Sequence, residues 1–177
     1  MSAPGTPAGG RRLAGRVVLV TGAYGGYGRA LAVDCARAGA RLVLLGRNAR
    51  KLERAADAVE QAGGEALLYP LDLEGATPDD YAELAARVGE GAGRLDALVH
   101  CAAHFPGLTP LEHSDPAAFA RALHVGLTAR WWLTQACLPL LRQAAHAAVV
   151  FVFDDEAPAA YRGAYGIAQH GQRALLD

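Results

Sequence analysis

The residues with the clearest chemical potential form a glycine-rich segment, TGAYGGYG, at positions 21–28. It follows the apolar run RVVLV and precedes RALAVDCARAGA, so it predicts a turn from a strand into a helix. Gly22 permits the tight turn. Gly26 and Gly28 let a pyrophosphate approach backbone N–H groups and let the helix pack closely on its strand. The segment predicts a dinucleotide phosphate site; the alternative is a purely structural glycine turn.

A second candidate group follows the next apolar run, in LLGRN. Sites selective for NAD commonly carry an acid at this point to bind the ribose hydroxyls, whereas Arg47 would attract a 2′-phosphate. Arg50 and Lys51 either add positive potential or are plain solvated charges in the first turn of a helix. We therefore expect NADP to be preferred to NAD.

The elements that would position these groups are short aliphatic runs alternating with segments of helical period. Strands are predicted at 16–21, 41–45, 65–71, 95–100 and 147–153, and helices at 26–38, 49–62, 78–90, 116–143 and from near Arg162. Thr77-Pro78 and Asp115-Pro116 each place a capping side chain before a proline at the first helical position. Several strands are apolar on both faces, which is typical of a parallel sheet covered by helices on both sides. We expect an α/β fold with a Rossmann-type, doubly wound parallel sheet of five strands.

Length and composition narrow the class of protein. A chain of 177 residues fits one domain, and a net charge of -1 with 20% charged residues argues against disorder and against nucleic acid as a partner. No apolar run reaches the roughly 18 residues that span a bilayer, and the start has no signal-peptide core. The three cysteines are widely spaced, which indicates a reducing, cytoplasmic setting. MSAPGTPAGGRRLAG predicts a flexible tail at 1–15, before a domain at 16–177.

Taken together, these motifs resemble the short-chain dehydrogenase/reductase family over nearly everything after the tail. The resemblance rests on the TGxxxGxG loop, on LDL at 71–73, on LTQACLPLL at 133–141 and on GAYGIAQ at 163–169. It implies a Rossmann-type fold and an NAD(P)(H)-dependent oxidoreductase that oxidises alcohols or reduces carbonyls. It also implies a homo-oligomer, because the family commonly dimerises through the helix that contains Trp131 and Trp132 and the helix that follows.

The resemblance also implies individual roles. Tyr165 would be the catalytic tyrosine, and Asp72, with Leu73 beside it, would contact the adenine amino group. Cys101 would be a small residue behind the adenosine ribose. The residues expected at the cofactor site are Gly22, Tyr24, Gly26, Tyr27, Gly28, Arg47, Asn48, Asp72, Leu73, Cys101, Ala102 and Gln169. For Tyr24 and Tyr27 the alternative is that they simply cap the turn.

Other catalytic positions depart from the family pattern. HCAA at 100–103 replaces asparagine-asparagine-alanine-glycine, Gly126 replaces a helix asparagine, Asp154 a serine and Gln169 a lysine. A tyrosine with a pKa near 10 needs a neighbouring cation to exchange protons near neutrality, and an ionised Asp154 would raise that pKa. We expect impaired hydride-transfer chemistry. The alternative is a pseudoenzyme that binds dinucleotide, or only a protein partner, without turnover.

Three further expectations concern the surroundings of the site. Family members continue for two more strands and a substrate-covering loop, so the chain is either a fragment or relies on a partner to cover apolar surface. One of Trp131 and Trp132 is expected to pack on the sheet and the other to lie near the surface, the alternative being that both are half buried. His100, His104 and residues 154–156 follow neighbouring strands, where a metal or hydrolytic site is an alternative. Without recognised ligand spacing, we expect solvated loop residues and no metal.

Overall fold

The computed structural model describes residues 11–154 and 160–176. Its parallel strands are β1 (Val17–Thr21), β2 (Arg41–Gly46), β3 (Glu65–Pro70), β4 (Ala97–His100) and β5 (Ala148–Phe151). Its α-helices are α1 (Gly26–Arg37), α2 (Ala49–Gln61), α3 (Pro78–Ala92), α4 (Pro116–Leu123), α5 (Ala129–Leu141) and α6 (Gly163–Gly171). Short 3-10 helices occur at Leu111–His113 and Arg173–Leu175.

The strands form one sheet in the order β3-β2-β1-β4-β5, and every pairing in it is parallel. Alternate residues of the central strands face opposite layers. Leu19 belongs to a core with α3 and α5, whereas Val20 belongs to a core with α1 and α2. The doubly wound Rossmann-type sheet that the sequence predicted is therefore confirmed.

Local signals account for several helix starts. Asp115 precedes Pro116 and accepts the Ala118 N–H at 2.8 Å, which caps α4. Thr77 and Asp80 form a reciprocal capping box at the start of α3. The sequence did not predict that the helix expected over 116–143 is interrupted. A π-helical segment, His124–Thr128, joins α4 to α5.

The described residues before β1 include a turn. Residues 12–15 form this turn, the Leu13 N–H donates to the Ala38 carbonyl at 2.8 Å, and the Leu13 side chain packs against the core on the α1–α2 side. The remainder of the predicted tail, residues 1–10, lies outside the described residues. The division at residue 16 stays a prediction. Among the helices described, none combines the length and the apolar character needed to cross a membrane.

The buried carboxylate of Asp96 connects the start of β1 to the start of β4. Asp96, 3% exposed, accepts hydrogen bonds from Arg16 Nη1 at 2.8 Å, from the Val17 N–H at 2.9 Å, and from Arg94 Nε and Nη2 at 2.8 and 2.6 Å. Burial by itself raises the pKa of Asp96, but the hydrogen bonds from Arg94, Val17 and Arg16 outweigh it and the pKa is lowered. The ionised form is therefore the one that stabilises the fold.

We expect Asp96→Asn to lower the free energy of unfolding by about 1–3 kcal/mol at neutral pH. A neutral amide lacks the negative charge with which the carboxylate accepts hydrogen bonds from two guanidinium groups. The folded-state pKa lies below the unfolded value. The stabilisation from Asp96 is therefore complete above the pKa that this carboxyl has in the unfolded chain, near 4. It is lost as the pH falls through the lower pKa of the folded state. Urea unfolding of both proteins from neutral to acid pH should show the difference narrowing in acid.

Asp34→Asn is the matched control, because the Asp34 side chain is 71% exposed and pairs with Arg37 on the same helix. It should change the unfolding free energy by less than about 0.5 kcal/mol. An Asp96→Asn protein as stable as this control would contradict the role assigned to the buried carboxylate.

Candidate functional site

A cavity of about 240 Å³ lies at the carboxyl ends of β1, β2, β3 and β4. Ligands of open α/β sheets bind at such edges. Of the residues predicted from the sequence to bind a cofactor, those that line it are Gly22, Tyr24, Arg47, Asp72, Leu73, Cys101 and Ala102. Gly26, Tyr27, Gly28, Asn48 and Gln169 do not line this cavity.

The glycine loop is shaped by a close approach of two chain segments. Gly22 has a φ of 62°, and a Cβ placed on it would lie 2.9 Å from the backbone N and Cα of Ala102. A Cβ on Gly28 would lie 2.4 Å from the Gly22 carbonyl oxygen. The Thr21 hydroxyl accepts the N–H groups of Cys101 and Ala102, each at 3.1 Å. The turn between β1 and α1 is therefore held directly against the end of β4.

The start of α1 provides backbone donors beside this cavity. Its N-cap residue is Gly25, which also lines the cavity and has no side chain with which to cap the helix. The first turn of the helix contains no acidic residue. Tyr27 is 81% exposed. The first N–H groups of a helix carry partial positive charge and have no partner within the helix. Together with the glycine loop, this end of α1 has the properties of an anion site.

The two tyrosines of the loop have different positions. The Tyr24 ring covers Gly46 so closely that a Cβ there would lie 2.6 Å from a ring carbon, and Lys51 Nζ lies 5.5 Å from the ring centroid. Tyr24 thus forms part of the cavity wall on the β2 side. Tyr27 lines a separate surface depression with Val152 and neighbouring residues. Asn48, also predicted at the site, caps α2 by accepting the Lys51 N–H at 3.0 Å.

Charged side chains meet in the wall of the cavity. One carboxylate oxygen of Glu74, Oε1, lies 3.5 Å from Arg47 Nη1 and 3.5 Å from His104 Nδ1. Asp72 Oδ1 accepts the Glu74 N–H at 3.1 Å, so the turn after β3 directs this residue. Glu74 was not among the residues predicted from the sequence to bind a cofactor. Its position directly after the LDL motif was the available signal.

Tyr165 projects from α6 into a half-buried position. Its ring centroid lies 5.0 Å from that of Phe105 and 5.8 Å from the Arg162 guanidinium carbon. Burial raises the pKa of Tyr165, and the Asp154 carboxylate raises it further, while Arg162 and Arg130 act in the opposite direction. The net shift is upward, which disfavours the tyrosinate near neutrality.

The other replaced positions beside Tyr165 are bonded to one another. Asp154 forms an ion pair with Arg162 at 2.5 Å, and its backbone N–H donates to Gln169 Oε1 at 2.9 Å. Gln169 is buried, so its amide holds the segment after β5. The two residues that follow in the predicted acidic cluster, Asp155 and Glu156, lie outside the described residues.

Arg130 is a buried cation that the sequence analysis missed. It is 1% exposed; Nη2 donates to the Ala102 carbonyl at 2.6 Å, and Nη1 donates to the Val152 carbonyl at 3.1 Å and to Gln172 Oε1. It therefore joins the ends of β4 and β5 to the end of α6. Burial lowers the pKa of Arg130 to about 10, which leaves it charged at neutral pH. A single arginine within the apolar run of α5 was the available signal.

The expectation that His100 is a solvated loop residue was wrong. It is 1% exposed, its Nε2 lies 2.9 Å from Thr134 Oγ1, and its ring stacks on Phe151 with 4.7 Å between centroids. Burial, with a smaller effect from Arg130, lowers the pKa of His100 to about 3, so the imidazole is neutral and part of the packing. Within residues 11–154 and 160–176, no group of three or more His, Cys, Asp or Glu side chains could hold a metal ion.

Gly126, which occupies the position of the family's helix asparagine, lies at a helix contact. It belongs to the π-helical segment, and a Cβ on it would lie 2.8 Å from the Cβ of Ala168 in α6. The close packing of α6 therefore leaves no room for a side chain here. The indole of Trp132 packs against Tyr81 and His124, while Trp131 is 49% exposed.

Comparisons with known proteins agree with this geometry. The family model described as short chain dehydrogenase matches residues 16–176. The uncharacterised oxidoreductase YciK of Escherichia coli (strain K12) is 36% identical over 137 residues, covering 77% of this chain and 54% of its own length. The chain spans about half the length of the curated relatives it matches.

Solved structures show the same fold with appreciable identity. A short chain dehydrogenase from Pseudomonas syringae has a TM-score of 0.89 and 40% identity, covering 93% of this chain and 69% of that one. A short chain dehydrogenase from Shigella flexneri 2a, complexed with NADP, has a TM-score of 0.89 and 32% identity, covering 93% and 70%.

We expect Gly126→Ala to lower the free energy of unfolding by about 1–3 kcal/mol, because the added methyl group meets Ala168 at 2.8 Å. An alanine at a helical position otherwise stabilises, by up to about 1 kcal/mol. Gly91→Ala in α3, where the new Cβ would meet only Leu67 at 3.5 Å, is the control and should be neutral or stabilising.

The double variant Gly126→Ala/Ala168→Gly should recover most of the loss, since it removes the opposing methyl group. Chemical denaturation of the four proteins measures these differences. A Gly126→Ala protein as stable as the Gly91→Ala control would mean that α6 does not pack closely enough to exclude a side chain at position 126.

Proposed function

The chain belongs to the short-chain dehydrogenase family, and we propose that it binds NADP(H) in the cavity at the ends of β1, β2, β3 and β4. Its reaction would be the oxidation of an alcohol or the reduction of a carbonyl, at an impaired rate. The observation that carries the proposal is the glycine loop, in which Gly22 and Gly28 have no room for a side chain, beside a helix start with no side-chain capping bond among the described residues. The Shigella flexneri neighbour complexed with NADP supports the choice of cofactor.

The described residues fit such a group. The backbone of the glycine loop and the start of α1 would hold the pyrophosphate. Arg47 would bind the 2′-phosphate, and by family resemblance Asp72 and Leu73 would bind the adenine. Cys101 and Ala102 would line the wall, and burial raises the pKa of the Cys101 thiol, so it stays neutral there. The bound cofactor would supply or accept the hydride.

Tyr165 would donate or accept the proton of the substrate oxygen. Its raised pKa leaves little tyrosinate near neutrality, so alcohol oxidation would suffer more than carbonyl reduction, in which the protonated phenol is the donor. The nearest cations differ from the family's lysine in position: Arg162 is engaged by Asp154, and Arg130 is bonded to strand-end carbonyls. These features support an impaired rather than an ordinary rate.

A catalytically inactive protein that binds dinucleotide or a protein partner is the second candidate. The hydrogen bond from Asp154 to Gln169 and the packing at Gly126 favour it, because both give the replaced positions a structural use. The division into a tail at 1–15 and a domain at 16–177, the cytoplasmic location and the homo-oligomer stay predictions. The exposed face of Trp131 is compatible with an interface.

We expect Arg47→Ala to weaken NADPH binding by about tenfold or more, because a charge-assisted bond to phosphate is lost, and to change NADH binding by less than about threefold. Quenching of tryptophan fluorescence during titration measures both dissociation constants. Arg50→Ala, which removes a nearby exposed cation outside the cavity wall, is the control. Equal loss for both cofactors would refute the assignment of Arg47.

Replacing Asp154 by serine and Gln169 by lysine should lower the pKa of Tyr165, since a carboxylate leaves and a cation is added. The absorbance of tyrosinate during an alkaline titration, taken as the difference from Tyr165→Phe, reports the midpoint. We also expect at least about tenfold faster reduction of a model ketone with NADPH. Gln143→Lys adds the same charge at an exposed site and controls for net charge. A lowered midpoint without any gain in turnover would support the inactive candidate instead.

A further inference from the structure

The charged residues in the cavity wall share one acceptor. Glu74 Oε1 is 3.5 Å from Arg47 and equally far from His104, and all three side chains line the same cavity. The Arg47 side chain is 59% exposed, whereas those of Glu74 and His104 are each 27% exposed. The carboxylate is thus the more enclosed partner, and the guanidinium extends toward solvent.

The contact between Arg47 and Glu74 is of a kind that can open. A separation of 3.5 Å lies outside the range of a good N–H···O hydrogen bond, so the attraction is mainly that of two opposite charges. Exposed ion pairs of this kind contribute little to stability and are screened by salt. A ligand with greater negative charge can therefore compete for Arg47.

A 2′-phosphate is such a ligand, but the Arg47 guanidinium that would bind it already pairs with the Glu74 carboxylate. The carboxylate and the phosphate repel one another, and each attracts Arg47. A dinucleotide without that phosphate presents ribose hydroxyls, and these can donate hydrogen bonds to a carboxylate. Both residues lie in the same cavity wall, but Arg47 favours the dinucleotide with a 2′-phosphate and Glu74 favours the one without it.

We propose that Glu74 is a selectivity residue: it holds Arg47 in an internal ion pair and so weakens the preference of the cavity for a 2′-phosphorylated dinucleotide. The proposal rests on the proposed function. His104 keeps the Glu74 carboxylate at the cavity wall by contacting the same oxygen. The preference for NADP over NAD is then set by the competition of two residues for one guanidinium.

The test is a cycle of variants titrated with NADPH and with NADH while tryptophan fluorescence is recorded. The proteins are the wild type, Glu74→Gln, Arg47→Ala and the double variant. Glu83→Gln is the matched control, because Glu83 forms its ion pair with Arg87 on α3, outside the cavity wall. Each titration is repeated at high salt, which weakens exposed ion pairs.

Glu74→Gln should tighten NADPH binding about three- to tenfold, leave NADH binding unchanged or weaker, and have a clearly smaller effect in the Arg47→Ala protein, where only the direct repulsion of the phosphate is relieved, and at high salt. The proposal is overturned if Glu74→Gln changes NADPH binding no more than Glu83→Gln does. It is also overturned if both cofactors tighten alike, or if the gain is as large without Arg47 as with it. A wild-type protein that binds neither nucleotide overturns the proposed function as well, whereas binding without selectivity at Glu74 overturns this inference alone.

Discussion

The architecture of the site depends on one close approach between backbones. The turn that leaves β1 passes so near the end of β4 that Gly22 has no room for a side chain, and the Gly22 carbonyl oxygen in turn leaves none at Gly28. The Thr21 hydroxyl fixes the distance by accepting two N–H groups from the β4 side. This contact brings the start of α1 to the cavity, which is lined by residues from the ends of the four strands β1, β2, β3 and β4. A side chain at either glycine would separate those parts.

The region around Tyr165 is held by ion pairs and hydrogen bonds between side chains and the backbone. Asp154 pairs with Arg162 and donates its backbone N–H to Gln169. The Nη1 and Nη2 groups of Arg130 donate to carbonyl oxygens and to Gln172. Two cations near a tyrosine would ordinarily favour its ionised form. Here burial and the Asp154 carboxylate outweigh them, and the pKa of Tyr165 rises. The protonation state of Tyr165 therefore depends on that electrostatic competition and not on its residue type alone.

A similar competition between charges acts in the wall of the cavity. Arg47 has the charge that a 2′-phosphate requires, yet the adjacent Glu74 carboxylate occupies it in part. A single charged residue near a binding site is therefore an incomplete guide to selectivity, because its effective charge depends on which neighbour already pairs with it.

The alternation of strands and helices, the glycine loop, the capping of α3 and α4 and the membership of the family could be predicted from the sequence. Turn chemistry and hydrophobic period involve residues close together in the chain, which explains that success. The burial of His100, the bonds of Arg130, the ion pair of Glu74 and the π-helical segment at Gly126 could not. Each depends on a partner from a distant element, such as Thr134, Ala102, His104 or Ala168. The sequence by itself determined which local structures form and where a phosphate site would lie. Tertiary structure decided which charges remain available to a ligand, because burial and long-range pairing depend on the packing of the whole sheet and its helices.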